Sequence, residues 1–165
     1  MKGRHMKRRS TFFLRAAVLA VGLVILALCV FALPAGWKAI PEENIDYDYA
    51  LYAILAAMWT AALPFFYALY QTLKLLNYID HNKAFSELSV KALKTIKYCG
   101  IAISLIFAAT LPFFYVFGDQ DDAPGVIVIG MALVVAPFGI SVFAAVLQRL
   151  LQDAINIKSE NDLTV

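Results

Sequence analysis

Four long uncharged stretches dominate this chain and leave little room for a soluble domain. They cover residues 16–37, 49–73, 98–118 and 123–148. A helix rises about 1.5 Å per residue and the hydrocarbon core of a bilayer is about 30 Å thick, so about 20 apolar residues cross it. The composition agrees, because 62% of the residues are hydrophobic and only 16% are charged, whereas soluble domains carry about 25% charged residues. The pattern predicts an all-α, polytopic membrane protein with four transmembrane helices.

The whole chain is expected to form one transmembrane domain. We place the spans at about 14–35, 49–73, 97–118 and 124–148 of residues 1–165, as a four-helix bundle with short tails. The first apolar run follows basic residues, as in a signal peptide, but exceeds the 7–15 residues of such a peptide's core. We therefore expect it to remain in the mature protein. Pro34 and Gly36 are expected to end the first helix.

The charged residues divide the chain into two kinds of loop. Thirteen of the fourteen Lys and Arg residues lie in the N-terminal tail, between the second and third spans, or in the C-terminal tail. The other two loops contain Lys38 and seven carboxylates, which are Glu42, Glu43, Asp46, Asp48, Asp119, Asp121 and Asp122. Basic loops stay on the cytoplasmic side during insertion. The pattern thus predicts a multi-pass cell-membrane protein with both termini in the cytoplasm.

An internal repeat relates the segments that follow the second and fourth spans. The matched residues are Leu75-Leu76 with Leu150-Leu151, Asn77 with Gln152, Lys83 with Lys158, and Glu87-Leu88-Ser89 with Asp162-Leu163-Thr164. The simplest interpretation is two parallel-related helical hairpins, about an axis along the membrane normal. The alternative is chance similarity between apolar segments.

Residues 63–67 and 111–115 both read Leu-Pro-Phe-Phe-Tyr, and each copy lies within a span. Proline removes a backbone hydrogen bond and bends a helix. Thr60, four residues before Pro64, is a candidate partner for the freed backbone group. One interpretation is a pocket for a lipid or drug-like ligand, formed by Pro64, Phe65, Phe66, Tyr67, Pro112, Phe113, Phe114, Tyr115 and Pro137. We favour the other interpretation, which is helix packing and anchoring at the membrane interface.

Side chains that carry chemistry are missing from the spans. No Asp, Glu, Lys, Arg or His lies in the core of any span, whereas ion-coupled transporters usually place such residues there. The two histidines, His5 and His81, lie far apart in the sequence and outside the spans, which argues against a His-based metal site. The chain contains no nucleophile-elbow or phosphate-loop motif. We therefore expect no enzymatic activity, no metal and no cofactor.

Two short segments outside the spans carry a family resemblance. They are the loop Lys83-Ala84-Phe85-Ser86-Glu87, where Ser86 is the expected N-cap of the third helix, and the terminal residues 158–165, of which 160–165 are the most distinctive. From about Arg9 onward the chain resembles a family of small bacterial four-helix membrane proteins of unknown function. The loop departs from the family pattern, which has Gly in place of Ala84 and Asn in place of Leu88 or Ser89. Family members are often encoded beside a short helix-turn-helix repressor. The resemblance therefore implies a membrane protein that holds or releases a transcription factor.

Three functional hypotheses follow. The first is a regulatory or sensor module that binds a small transcription regulator and makes no direct contact with nucleic acid. Its candidate residues are Phe85, Ser86, Glu87, Leu88, Lys158, Glu160, Asn161, Asp162 and Leu163. The second is a small-molecule exporter subunit or a membrane protein that binds a lipophilic ligand. The third is an immunity protein that neutralises a membrane-active peptide through the acidic loops. The lipid bilayer is an expected partner in each case, and a homo-oligomer is compatible with all three.

Overall fold

A computed structural model describes residues 2–40 and 45–164 of the protein. The elements are α1 (Lys2–Ala27), a π-helical turn (Leu28–Ala32), α2 (Leu33–Lys38), α3 (Ile45–Asp80), α4 (Glu87–Gln120) and α5 (Pro124–Leu163). Among these described residues, four helical stretches are long and apolar enough to cross a membrane, namely Arg8–Lys38, Asp48–Asp80, Glu87–Gln120 and Pro124–Leu163. The predicted all-helical, four-span class is confirmed.

The first span does not end at Pro34 and Gly36, so that prediction was wrong. The helix passes through the π-helical turn Leu28–Ala32 and continues to Lys38. Within this turn the Leu33 N–H donates to the Leu28 carbonyl, five residues earlier. A proline in a regular α-helix clashes with the carbonyl four residues before it. The wider turn places Pro34 near the start of a new helical segment, where a proline is tolerated.

The connections between α3, α4 and α5 are short and use the same helix-ending motif. Asn82 has a left-handed backbone with φ 57°, and the Lys83 N–H donates to the Tyr78 carbonyl at 2.7 Å. This hydrogen bond, which spans five residues, is the mark of a Schellman motif. Asp122, with φ 50°, occupies the equivalent position after α4. Asn and Asp tolerate this conformation better than other non-glycine residues, so both turns reverse the chain tightly.

The helices pack as a row in chain order, an arrangement that the sequence analysis did not specify. α4 has extensive interfaces with α3 on one side and α5 on the other, and the first span has a smaller one with α3. No comparable interface joins α3 to α5, or the first span to α4 or α5, within the described residues. The two hairpins of the repeat therefore differ in their packing. The helices α4 and α5 share a large interface, whereas the first span and α3 share a small one. Lys83 lies in a turn, whereas its counterpart Lys158 lies within α5.

The apolar core lies along α4. Its buried members are Ile54 and Ala61 from α3 and Ile103, Phe107 and Phe114 from α4, with partly buried Val126, Leu133 and Val134 from α5 packed against them. Gly130 leaves space for the Phe114 ring, because a Cβ at this glycine would lie 2.8 Å from the ring's Cγ. Small residues allow such close helix approach in lipid.

Hydroxyl groups within the spans bond to backbone carbonyls. Ser104 Oγ on α4 donates to the Val134 carbonyl on α5 at 2.9 Å, one turn before Pro137. This bond satisfies an acceptor in the region where the proline disturbs the helical hydrogen bonds. Thr60 Oγ1 instead donates to the Ala56 carbonyl at 2.8 Å. Thr60 therefore does not supply the partner expected beside Pro64.

Candidate functional site

The two ends of the molecule differ in charge and in how their elements are joined. At the basic end, Arg15 of α1 forms a salt bridge with Asp80 at the end of α3, with 2.7 Å between Nη2 and Oδ2. At the acidic end, the Trp37 ring of α2 lies 4.8 Å from the Tyr52 ring of α3, measured between centroids. The basic end comprises the start of α1, the α3–α4 turn and the end of α5. The acidic end comprises α2, the start of α3 and the α4–α5 turn.

The α3–α4 turn is held by two serine hydroxyls on one carbonyl. Ser86 Oγ and Ser89 Oγ donate to the Lys83 carbonyl at 2.6 Å and 3.1 Å. Ser86 occupies the N-cap position of α4, as predicted, but its hydroxyl does not cap the helix. The hydroxyl donates backwards into the turn, where Lys83 offers an acceptor. The turn is thereby ordered while the side chains of Phe85 and Leu88 remain 64% and 47% exposed.

α5 extends well beyond the start of α4. Gln152 Nε2 donates to Glu87 Oε1 at 3.1 Å, which links the two helices. Leu163 lies 11 residues further along, or about 16 Å at the helical rise. The predicted residues of the tail, Lys158, Glu160, Asn161, Asp162 and Leu163, are all exposed. The structure therefore places the predicted partner-binding residues in two patches joined at Gln152, one on the turn and one on the tail.

The aromatic residues of the twin motifs do not surround one cavity. Phe114 is buried in the core, and Phe65 and Phe113 pack against it. Tyr67 and Tyr115 are 52% and 60% exposed. Of the remaining predicted pocket residues, Pro64, Phe66 and Pro137 are partly buried and Pro112 is exposed.

The two copies of the motif also lie at different depths along the helices. The Phe113 ring lies 5.6 Å from the ring of Tyr49 at the start of α3, measured between centroids. Phe65 is 16 residues further along the same helix, or about 24 Å at the helical rise. The second copy therefore lies near the acidic end, and the first copy lies deeper in the protein.

The structure adds residues that sequence reasoning did not select. Arg15 Nη2 also donates to Asn77 Oδ1 at 3.3 Å, while Arg15 Nε is buried and has no hydrogen-bond partner among the described residues. Gln152 links the two patches and also donates to Asn156 Oδ1 at 3.3 Å. A signal was present for Arg15, because it is the last charge before a long apolar run. Its pairing with Asp80 depends on the register between α1 and α3, which no sequence pattern specifies.

These features are typical of a polytopic α-helical membrane protein with ordered segments outside the spans. Residues 35–165 match the family described as "Protein of unknown function (DUF2975)". A relative from Bacillus subtilis (strain 168), the "Uncharacterized membrane protein YoaS", is 54% identical over 162 residues, which cover 97% of this chain and 100% of the relative. No solved structure matches the chain. The protein therefore belongs to the DUF2975 family, and the resemblance to a membrane protein family of unknown function is confirmed.

Proposed function

We propose that this protein is a regulatory membrane module whose basic end faces the cytoplasm and binds a small helix-turn-helix transcription regulator. The observation that carries the proposal is a set of exposed apolar side chains outside the predicted spans. They are Phe85 and Leu88 at the α3–α4 turn and Ile157 and Leu163 on the α5 extension. Lipid tails do not cover these positions if the fourth span ends near residue 148. Apolar anchors surrounded by polar residues are typical of the centre of a protein interface.

The charge of the α5 extension suits a DNA-binding partner. Residues 149–164 contain three carboxylates, Asp153, Glu160 and Asp162, and two basic residues, Arg149 and Lys158. A DNA-binding protein is rich in Lys and Arg. The basic end as a whole is positively charged and would not steer such a protein from a distance, but Glu160 and Asp162, close to Leu163, can pair with its basic side chains once it is bound. A bound regulator would then be kept from DNA until a signal releases it.

Coexpression with a short helix-turn-helix protein of the kind that the family resemblance implies as a genetic neighbour tests this proposal. The full-length protein is purified in detergent, and the regulator that remains bound is quantified. Phe85→Ser and Leu163→Ser are expected to weaken capture by roughly tenfold each, the usual effect of removing an interface anchor. Asp153→Asn is the control for Asp162→Asn, because it makes the same change on the same helix at a residue that is not a candidate for partner binding. Capture that survives both apolar substitutions and deletion of residues 160–165, or no capture at all, contradicts the proposal.

The orientation has its own test. A cytoplasmic reporter fused after Val165 is expected to be active, because basic segments are retained inside. An active periplasmic or cell-surface reporter at the same position would contradict the cytoplasmic placement of the basic end.

A second candidate function is the binding of a lipophilic ligand in a groove between α4 and α5. It has a volume of about 510 Å³ and is lined by apolar residues that include Leu93, Ile96, Gly139 and Phe143. Nothing lies within 4 Å of the position that a Cβ on Gly139 would occupy. Gly139→Leu would fill this space. It is expected to reduce labelling of the groove by a photoreactive fatty acid, and labelling that is unchanged would exclude the groove as the site.

A further inference from the structure

A cleft at the acidic end combines aromatic rings with a carboxylate. It has a volume of about 370 Å³ and lies between the start of α3 and the end of α4. Its lining includes Tyr49, Phe113, Tyr115, Asp119 and Gln120. The Tyr49 and Phe113 rings meet edge to face, with centroids 5.6 Å apart and planes at 63°. Clefts of about 300–1,000 Å³ with a few convergent polar groups are typical small-molecule sites.

The described residues of the acidic end carry more negative than positive charge. They include four carboxylates, Asp48, Asp119, Asp121 and Asp122, and one lysine, Lys38. Fields from several like charges raise the local concentration of ions of the opposite sign.

We propose that this cleft binds the ammonium group of a small organic cation. Tyr rings attract cations to their faces through the ring quadrupole, and Tyr49 and Tyr115 are 64% and 60% exposed. Asp119 supplies a full negative charge beside them. Aromatic faces with one carboxylate suit an alkylated or primary ammonium better than a metal ion, which needs several oxygen ligands. The proposal concerns the end opposite the regulator surface and does not depend on it.

The experiment compares choline with 3,3-dimethyl-1-butanol, its uncharged isostere. Binding to the full-length protein in phosphatidylglycerol nanodiscs is followed by ligand-observed NMR titration. Choline is expected to bind saturably and at least about fivefold more tightly than the isostere, given the usual strength of a cation–aromatic contact. Equal binding of the two compounds, or no saturation by choline up to roughly 10 mM, overturns the proposal.

Four variants test the assigned side chains. Asp119→Asn is expected to weaken choline binding by about fivefold, whereas Asp122→Asn removes the same charge from the same turn outside the lining. Asn also tolerates the left-handed backbone of Asp122. Tyr115→Leu is expected to weaken binding, while Tyr115→Phe keeps the ring face and is expected to preserve it. Equal losses from Asp119→Asn and Asp122→Asn, or from Tyr115→Leu and Tyr115→Phe, contradict the assignment. Circular dichroism of each variant confirms that the helices are retained.

A lipid headgroup and a free solute present the same ammonium chemistry. Nanodiscs that contain phosphatidylethanolamine distinguish the two sources. Weaker apparent choline binding in these nanodiscs indicates that the headgroup ammonium competes for the cleft. Unchanged binding indicates a site for a free cation, and both outcomes support the ammonium chemistry.

Discussion

The first span and α4 both cross the membrane, yet they make opposite use of their surfaces. In the first span only Thr11 and Leu33 are buried among the residues whose side chains are described, and most of its other large apolar side chains are exposed. α4 has twelve buried residues, and more than half of them are Gly, Ala, Ser, Thr or Cys. Lipid tails are as apolar as leucine, so hydrophobicity does not drive helices together within a bilayer. Apolar character therefore brings a helix into the membrane, while small and polar residues decide which helices pack.

Replacing Gly100, which lies at the contact between α4 and α5, is expected to have the largest effect on stability. A Cβ on Gly100 would collide with Ser141 Oγ and lie 2.9 Å from the Pro137 carbonyl oxygen. Gly100→Ala is expected to lower the free energy of unfolding by about 1–3 kcal/mol, the usual cost of overpacking. Gly22→Ala in the first span is the matched control, because its Cβ would meet only the flexible end of Leu69 at 3.2 Å. Unfolding in mixed detergent micelles measures the stability of both variants. Equal losses of stability would contradict the difference in packing between the first span and α4.

Removing the interhelical hydrogen bond of Ser104 is expected to have an intermediate effect on stability. Ser104→Ala removes the donor to the Val134 carbonyl on α5. Interhelical hydrogen bonds in membranes contribute about 0.6 kcal/mol on average and up to about 1.7 kcal/mol, so a loss in this range is expected. Thr60→Ala removes a bond within α3 only and is expected to change the unfolding free energy less. The same micelle assay compares the two, and a larger loss for Thr60→Ala would contradict the packing of α4 on α5.

The salt bridge of the first span gives the smallest effect on stability. The side chains of Arg15 and Asp80 are 36% and 22% exposed, and exposed ion pairs contribute up to about 1 kcal/mol. Asp80→Asn is therefore expected to cost less than about 1 kcal/mol but to loosen the first span from α3. The measurement is disulfide formation between cysteines at Gly22 and Leu69, with Cys29 and Cys99 replaced. Asp153→Asn is the control, and identical crosslinking in the two variants would show that the salt bridge does not hold the first span.

Much of the fold was predictable because the bilayer imposes strict lengths. Four uncharged stretches implied four helices, and Ser86 was expected at the N-cap position before the third of them, where the structure has it. The passage of the first helix beyond Pro34 was not predictable, since a π-helical turn accommodates a proline that would otherwise stop or bend it. The row of helices was also missed, because apolar patterns do not state which faces meet in lipid.

The candidate sites were predicted less completely than the fold. Phe85 and Leu163 belong to the two short segments that carry the family resemblance, and both are exposed in the structure. The acidic cleft was not selected, because Tyr49 and Tyr115 are 66 residues apart in the chain. They line one cleft only because the start of α3 lies beside the end of α4.

The amino-acid sequence alone determined the number of spans and the separation of basic from acidic segments. Both depend on transfer between water and lipid, which acts on each segment independently. The tertiary structure alone decided the order of packing, the partners of Arg15 and Ser104, and the cleft beside Asp119. Those features depend on close contact between surfaces that are distant in the chain, where a single side-chain volume changes the fit.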